Sequence, residues 1–150
     1  MSGTIYLLDT NVISELMRPK PNHAVLGWID AVGIAGLALS AVSRWEIRYS
    51  LALLAEERRR DELTGRFDAL VAELFGAGVY NLTSDAAEQC AVIMARKRAL
   101  GESLDHHLPD AMIAGIAADA GLTLATRNRA ELRNCGLALV DPWSSDQSEN

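Results

Sequence analysis

The stretch Ile5-Tyr6-Leu7-Leu8-Asp9-Thr10-Asn11-Val12-Ile13-Ser14-Glu15-Leu16 changes periodicity at its centre. Its first four residues form an unbroken apolar run, the pattern of a strand covered on both faces. Beyond Asp9, Val12, Ile13 and Leu16 recur at helical spacing. Thr10 or Asn11 offers the N-cap oxygen, and Pro19 and Pro21 stop the helix. A buried strand running directly into a helix opens a crossover unit, and crossover units build parallel sheets.

The alternation continues downstream. Ala24 to Ala31 is amphipathic, and Leu37-Ala38-Leu39-Ser40 reads as a second buried strand. Helices are predicted over Val42 to Glu56, with Val42, Trp45, Tyr49 and Leu53 on one face, and over Asp61 to Phe75. Val79 to Leu82 is a third strand. Ser84 or Asp85 caps a helix that Gly101 ends after Leu100. Pro109 opens a helix through Ala120, stopped by Gly121, and Leu122 to Ala125 is a fourth strand. A short helix near Arg129 to Arg133 leads to a fifth strand, Leu137 to Val140. The expected class is α/β, with a mainly parallel, roughly five-stranded sheet. One domain is expected over residues 1–143, followed by a polar tail at 144–150.

Composition agrees with one compact domain: 150 residues, 49% of them hydrophobic and 23% charged. No apolar run approaches the ~18 residues of a membrane helix. No secretory leader is evident, which points to the cytoplasm. Cys90 and Cys135 fit no metal-ligand spacing and read as reduced packing residues. The net charge of -6 argues against nucleic acid only until a bound cation is considered, since a metal reverses the local field. Arginine far outnumbers lysine, and its planar fork suits phosphate oxygens. Arg58, Arg59 and Arg60 read as a solvated helix face.

Parallel sheets bind ligands beyond the carboxyl ends of their strands. That directs attention to Asp9, to the segment after Ser40 and to Thr126-Arg127-Asn128. Asp9 reads either as a cap or as a functional acid, and the nearby Thr10 and Asn11 make it surplus to capping. Glu46 lies beside the apolar stripe of its helix, yet Ser43-Arg44-Trp45-Glu46 also fits a capping box. Asp110 follows Pro109 in the first turn of its helix, where the helix dipole alone favours an acid. Taken together, three carboxylates that the topology can gather at one edge repel one another unless a divalent ion holds them. All-oxygen ligands suit magnesium or manganese, whereas zinc would recruit His or Cys.

These segments resemble the PIN-domain family, specifically the VapC/FitB-type toxins of type II toxin–antitoxin modules. Leu7 to Leu16 is similar to the family's first motif, Leu39 to Arg48 to its second, Pro109-Asp110-Ala111-Met112-Ile113-Ala114 to its third and Gly121 to Asn128 to its fourth. The closing Asp141-Pro142-Trp143 also resembles the way such chains end, so the likeness spans nearly the whole chain. It implies a three-layer α/β/α fold, a homodimer and a cognate antitoxin that blocks the site. It further implies a magnesium-dependent endoribonuclease, with manganese as a substitute, in which Asp9, Glu46 and Asp110 bind the metal and water hydrolyses RNA. Thr10, Asn11 and Thr126 would orient water or carboxylates, and Arg127, Arg129 or Arg44 would contact the RNA backbone. The sequence departs from the family at Asn128, which can coordinate or orient water in the catalytic group but brings no charge where many relatives carry a fourth acid, and at Glu131, where relatives often show Asp. Asp105, His106 and His107 read as a solvated turn before Pro109. Asn128 leaves open an alternative, a PIN-like module that binds RNA or an antitoxin without cleaving. A haloacid-dehalogenase-type phosphatase is discounted, since Asn11 stands where its second Asp is needed.

Overall fold

The computed structural model describes residues 3–144. Five short strands form one sheet in the order β3-β2-β1-β4-β5, every neighbouring pair parallel: β1 (Tyr6–Leu8), β2 (Leu37–Ser40), β3 (Val79–Tyr80), β4 (Thr123–Ala125) and β5 (Leu139–Val140). Helices α1 (Thr10–Leu16), α2 (His23–Val32), α3 (Ala41–Ala52), α4 (Glu57–Glu73), α5 (Ser84–Ala99) and α6 (Leu108–Ala120) supply the crossovers. The first strand is therefore central, as its double-sided apolar run requires.

Side chains alternate across the sheet and split the core in two. Leu7, Ala38 and Leu124 face α5 and α6 and join Ile113, Ile116 and Ile93. Leu8, Leu37, Leu39 and Ala125 face the other way and pack with Val12, Ile13, Ile29, Ile47 and Phe67 from α1 to α4. Cys90 and Cys135 are free and buried. The result is the three-layer α/β/α arrangement, with its functional edge at the carboxyl ends of β1, β2 and β4.

Several local expectations need correction. The predicted helix at Arg129 to Arg133 is a run of turns, followed by positive φ at Asn134 (66°) and Gly136 (74°). Arginine-rich composition favours helix there, but the chain must reverse within a few residues to enter β5. Helix α4 starts at Glu57 rather than Asp61, because the charged Glu57 to Arg60 stretch has no apolar period to mark it. On α3 the buried residues are Val42, Ser43, Ile47 and Leu51. Trp45, Tyr49 and Leu53 are 56%, 58% and 66% exposed, so most of the predicted apolar face looks outward. Two stripes of α3 satisfy helical spacing, and only packing selects which is covered. Of the expected polar tail, residues 145–150 lie outside the described residues, while Ser144 donates its N–H to the Asp141 carbonyl.

Candidate metal centre

Register brings the first groups together. Leu8 pairs with Ala125, and the next backbone bond runs from Asp9 N–H to the Ala125 carbonyl at 2.9 Å. Asp9 and Thr126 are thereby neighbours at the sheet edge. The Thr126 hydroxyl donates to Asp9 Oδ2 at 2.7 Å, and the Thr10 N–H donates to Asp9 Oδ1 at 2.8 Å. Asp9, not Thr10 or Asn11, is the N-cap of α1. The strand-to-helix turn puts its carboxylate where the first free N–H groups point, so capping and clustering coincide in one side chain.

Glu46 arrives from α3. The cap of that helix is Ser40, whose Oγ accepts from the Ser43 N–H at 2.9 Å, so the Ser43–Glu46 capping box does not form. Helix α3 starts directly at the end of β2, earlier than a box at Ser43 would require. Glu46 is left to accept from the Thr10 hydroxyl at 2.6 Å, and Thr10 also meets the buried Ser43 hydroxyl at 2.9 Å. Ser43 is thus a functional-edge residue that the sequence disguises as a cap.

Asp110 enters from the first turn of α6 and shares with Asp9, Thr10, Asn11, Arg127 and Asn128 a cavity of about 560 Å³. Burial, the Asp110 charge and the Glu46 charge push the Asp9 carboxyl up to about 6, against the pull of its hydrogen bonds from Thr126 and Thr10. Glu46 is raised by burial and by Asp110, and Asp110 by burial and by Glu131, with His107 opposing. Three acids from three separate elements thus sense one another at one edge. Their oxygens are spaced more widely than a dry cage requires. Among the described residues, the three-residue set whose candidate ligand atoms all lie within 4.8 Å of one another is His107, Asp110 and Glu131. Hard oxygen donors with room between them fit a magnesium-like ion, which keeps several of its waters.

The remaining expected residues divide. Asn11 lies near Asp9 Oδ2 (3.4 Å), and its side-chain oxygen accepts from the Arg127 N–H at 3.4 Å. The Asn128 N–H donates to Thr126 Oγ1 at 3.0 Å, and the residue lines the cavity. Of the three arginines expected at the backbone, Arg127 lines the cavity, stacked over Trp143 at 4.9 Å, while Arg44 and Arg129 do not line it. Arg18 and Glu15, which no spacing singled out, form part of the wall, with Arg18 3.3 Å from the buried Glu15 carboxylate. The signal for them was faint, since Glu15 reads on paper as an ordinary solvent-facing helix acid.

The PIN domain family model matches residues 6–136. The plasmid stability protein StbB of Pseudomonas syringae pv. tomato is 36% identical over 139 residues, covering 93% of this chain and 99% of that protein. The VapC ribonuclease Y4jK of Sinorhizobium fredii is 36% identical over 137 residues, covering 91% and 96%. The crystal structure of FitAcB from Neisseria gonorrhoeae superposes with a TM-score of 0.82 at 32% identity, covering 93% of this chain and 99% of that one. With a central acid-tipped strand, two further acids converging on it and these relatives along nearly its full length, the chain belongs to the PIN domain family, among the VapC and FitB proteins.

Proposed function

We propose that this chain is a metal-dependent endoribonuclease and the toxin of a toxin–antitoxin pair. The observation that carries this reading is that Asp9 and Asp110 line one cavity at the edge of the sheet, with Glu46 held beside it by the hydroxyl of Thr10, itself part of the cavity wall. Uncompensated, such a group is costly; with a divalent ion it becomes a phosphodiester hydrolysis site. A bound magnesium or manganese ion lowers the pKa of water and stabilises charge on a phosphoryl group. Asp9 and Asp110 would hold the ion, directly or through water. Glu46, its carboxyl raised and anchored by Thr10, is suited to take the proton of the attacking water. Thr126, Thr10 and Asn11 fix the carboxylates, and Arg127 on the cavity rim would steady the RNA backbone. Departure of the 3′ oxygen leaves a 5′-phosphate and a 3′-hydroxyl.

An apolar groove of about 330 Å³, walled by Met17, Ile47, Leu51 and Leu63, shares Thr10, Ser14 and Arg18 with the acidic cavity. A peptide from a cognate antitoxin lying there would reach the carboxylates, which supports inhibition by direct occlusion. No helix among the described residues is long and apolar enough to cross a membrane.

Incubating purified protein with structured RNA, with and without EDTA, tests the activity. Cleavage that needs a divalent ion, leaves 5′-phosphates and is lost in Asp9→Asn without loss of fold is expected. Binding without cutting would favour the non-cleaving alternative, and wild-type cutting by Asp9→Asn would end the assignment.

A further inference from the structure

Besides Asp9, the wall of the acidic cavity contains a second buried acid, Glu15, which the proposed hydrolysis does not use. We propose that Glu15 holds Arg18 as a clamp for a phosphate of the RNA strand beyond the one that is cut. The substrate is then a strand of several nucleotides rather than a single one. This rests on the reading of the cavity as a nuclease site.

Arg18 Nη1 donates to both Glu15 oxygens at 3.3 Å, and the Asn22 N–H donates to Glu15 Oε2 at 3.1 Å. Glu15 is 6% exposed and Arg18 66%, so the carboxylate is the anchor and the guanidinium meets solvent. Nε and Nη2 of Arg18 have no partner among the described residues. Those two nitrogens form the fork that grips a phosphate through paired hydrogen bonds. The backbone beneath is fixed as well. The Arg18 N–H donates to the Glu15 carbonyl at 3.1 Å, and Arg66 from α4 donates to the Met17 carbonyl at 2.8 Å. A guanidinium held in advance loses less freedom when it binds.

Helix α1 starts directly after Asp9 and is capped at Met17, so Arg18 stands about 13 Å from Asp9 along the axis. That offset suits a neighbouring phosphate rather than the one beside Asp9. Closing the turn between α1 and α2 explains the Asn22 bond, but it needs only an acceptor, not an ion pair. Burying a carboxylate is costly unless a cation compensates it, and here that cation is one of the two arginines, with Arg127, in the cavity wall. Arg18 also borders the apolar groove, where a peptide carboxylate is the rival partner. The pair as a unit lines the acidic cavity, whereas Glu15 does not line the groove.

The test uses the full chain and a fluorescently labelled single-stranded oligoribonucleotide. Affinity is read by anisotropy from about 50 to 200 mM salt, with Ca²⁺ replacing Mg²⁺ so that binding is read apart from cleavage. Arg18→Ala should weaken binding about tenfold and lower the slope of log affinity against log salt by about 1. Arg18→Lys keeps a cation for Glu15 and should melt like wild type. It should still bind at least about threefold more weakly, since an ammonium lacks the planar fork. Glu15→Gln should weaken binding too, although removal of a negative charge alone would tighten it. Arg58→Ala, on the solvated face of α4, should change neither affinity nor slope. Wild-type affinity in Arg18→Ala or Arg18→Lys would overturn the clamp and leave Arg18 to a peptide in the groove. Tighter binding by Glu15→Gln, or no RNA binding by wild type, would overturn it as well. RNA bound in this Arg18-dependent way but left uncut with Mg²⁺ would count against the nuclease activity and leave the clamp standing.

Discussion

At the level of single residues, Asp9 does two jobs that usually fall to different side chains. It caps α1 and forms the floor of the acidic cluster. Its carboxyl is held near 6, above the ~3.9 of an unfolded chain, so the folded protein binds more protons between those values. The sign follows: this contribution is fully present below about pH 4 and is lost as pH rises through about 6, worth on the order of 3 kcal/mol. Melting curves of EDTA-treated protein should therefore show Tm falling across that window, with Asp9→Asn flattening the decline. Equal slopes for the two proteins would contradict the account. At pH 7.5, adding Mg²⁺ should raise the Tm of wild type by more than it raises that of Asp9→Asn. Thr126→Val removes the 2.7 Å donor to Asp9 and should move the acid limb of the cleavage profile to higher pH, since that bond holds the carboxyl down. An unchanged profile would show that Thr126 merely packs.

Among the elements, α3 and α6 matter most because each carries one acid and is fixed by one small residue. Ser40 starts α3 at the end of β2, and its loss in Ser40→Ala leaves the Ser43 N–H without its partner. A cost of about 1 to 2 kcal/mol in chemical denaturation is expected. Helix α6 lies so close to α5 that a Cβ on Gly115 would meet the Ala86 carbonyl at 2.6 Å and the Cys90 N at 2.9 Å. Gly115→Val should therefore cost about 3 kcal/mol or more by forcing the pair apart, displacing Asp110 with it. A variant as stable as wild type would show that the two helices can slide without penalty. The C-terminal ends of α5 and α6 were readable because Gly101 and Gly121 adopt the positive φ that stops a helix, whereas α5 is capped by Thr83 rather than by Ser84 or Asp85. The orientation of α3 was not, since Trp45-Tyr49-Leu53 and Ser43-Ile47-Leu51 are equally good helical stripes until neighbours are known.

For the molecule as a whole, the outward stripe is informative. Trp45 and Tyr49 stack with centroids 6.5 Å apart, and both are exposed, as is Leu53 four residues further on. If the chain forms the homodimer that the family resemblance implies, this strip on α3 is the surface expected in its interface. Trp45→Glu combined with Leu53→Glu should convert the protein to a monomer by light scattering while leaving its circular dichroism unchanged. A dimer of undiminished strength would place the interface elsewhere.

The strand-to-helix rhythm and the buried Leu7-Leu8 run could be read from the order of residues, because each rests on local periodicity, and Asp9, Glu46 and Asp110 could be picked out as candidates from their places beside that pattern. The individual contacts of those acids could not. Asp9 meets Thr126 only through the parallel register of β1 and β4, Glu46 turns to Thr10 only because Ser40 has already capped α3, and His107 faces Glu131 only once the last turns fold back beside α6. Contacts between residues far apart in the chain are set by how the layers pack, and packing leaves no periodic mark on the sequence.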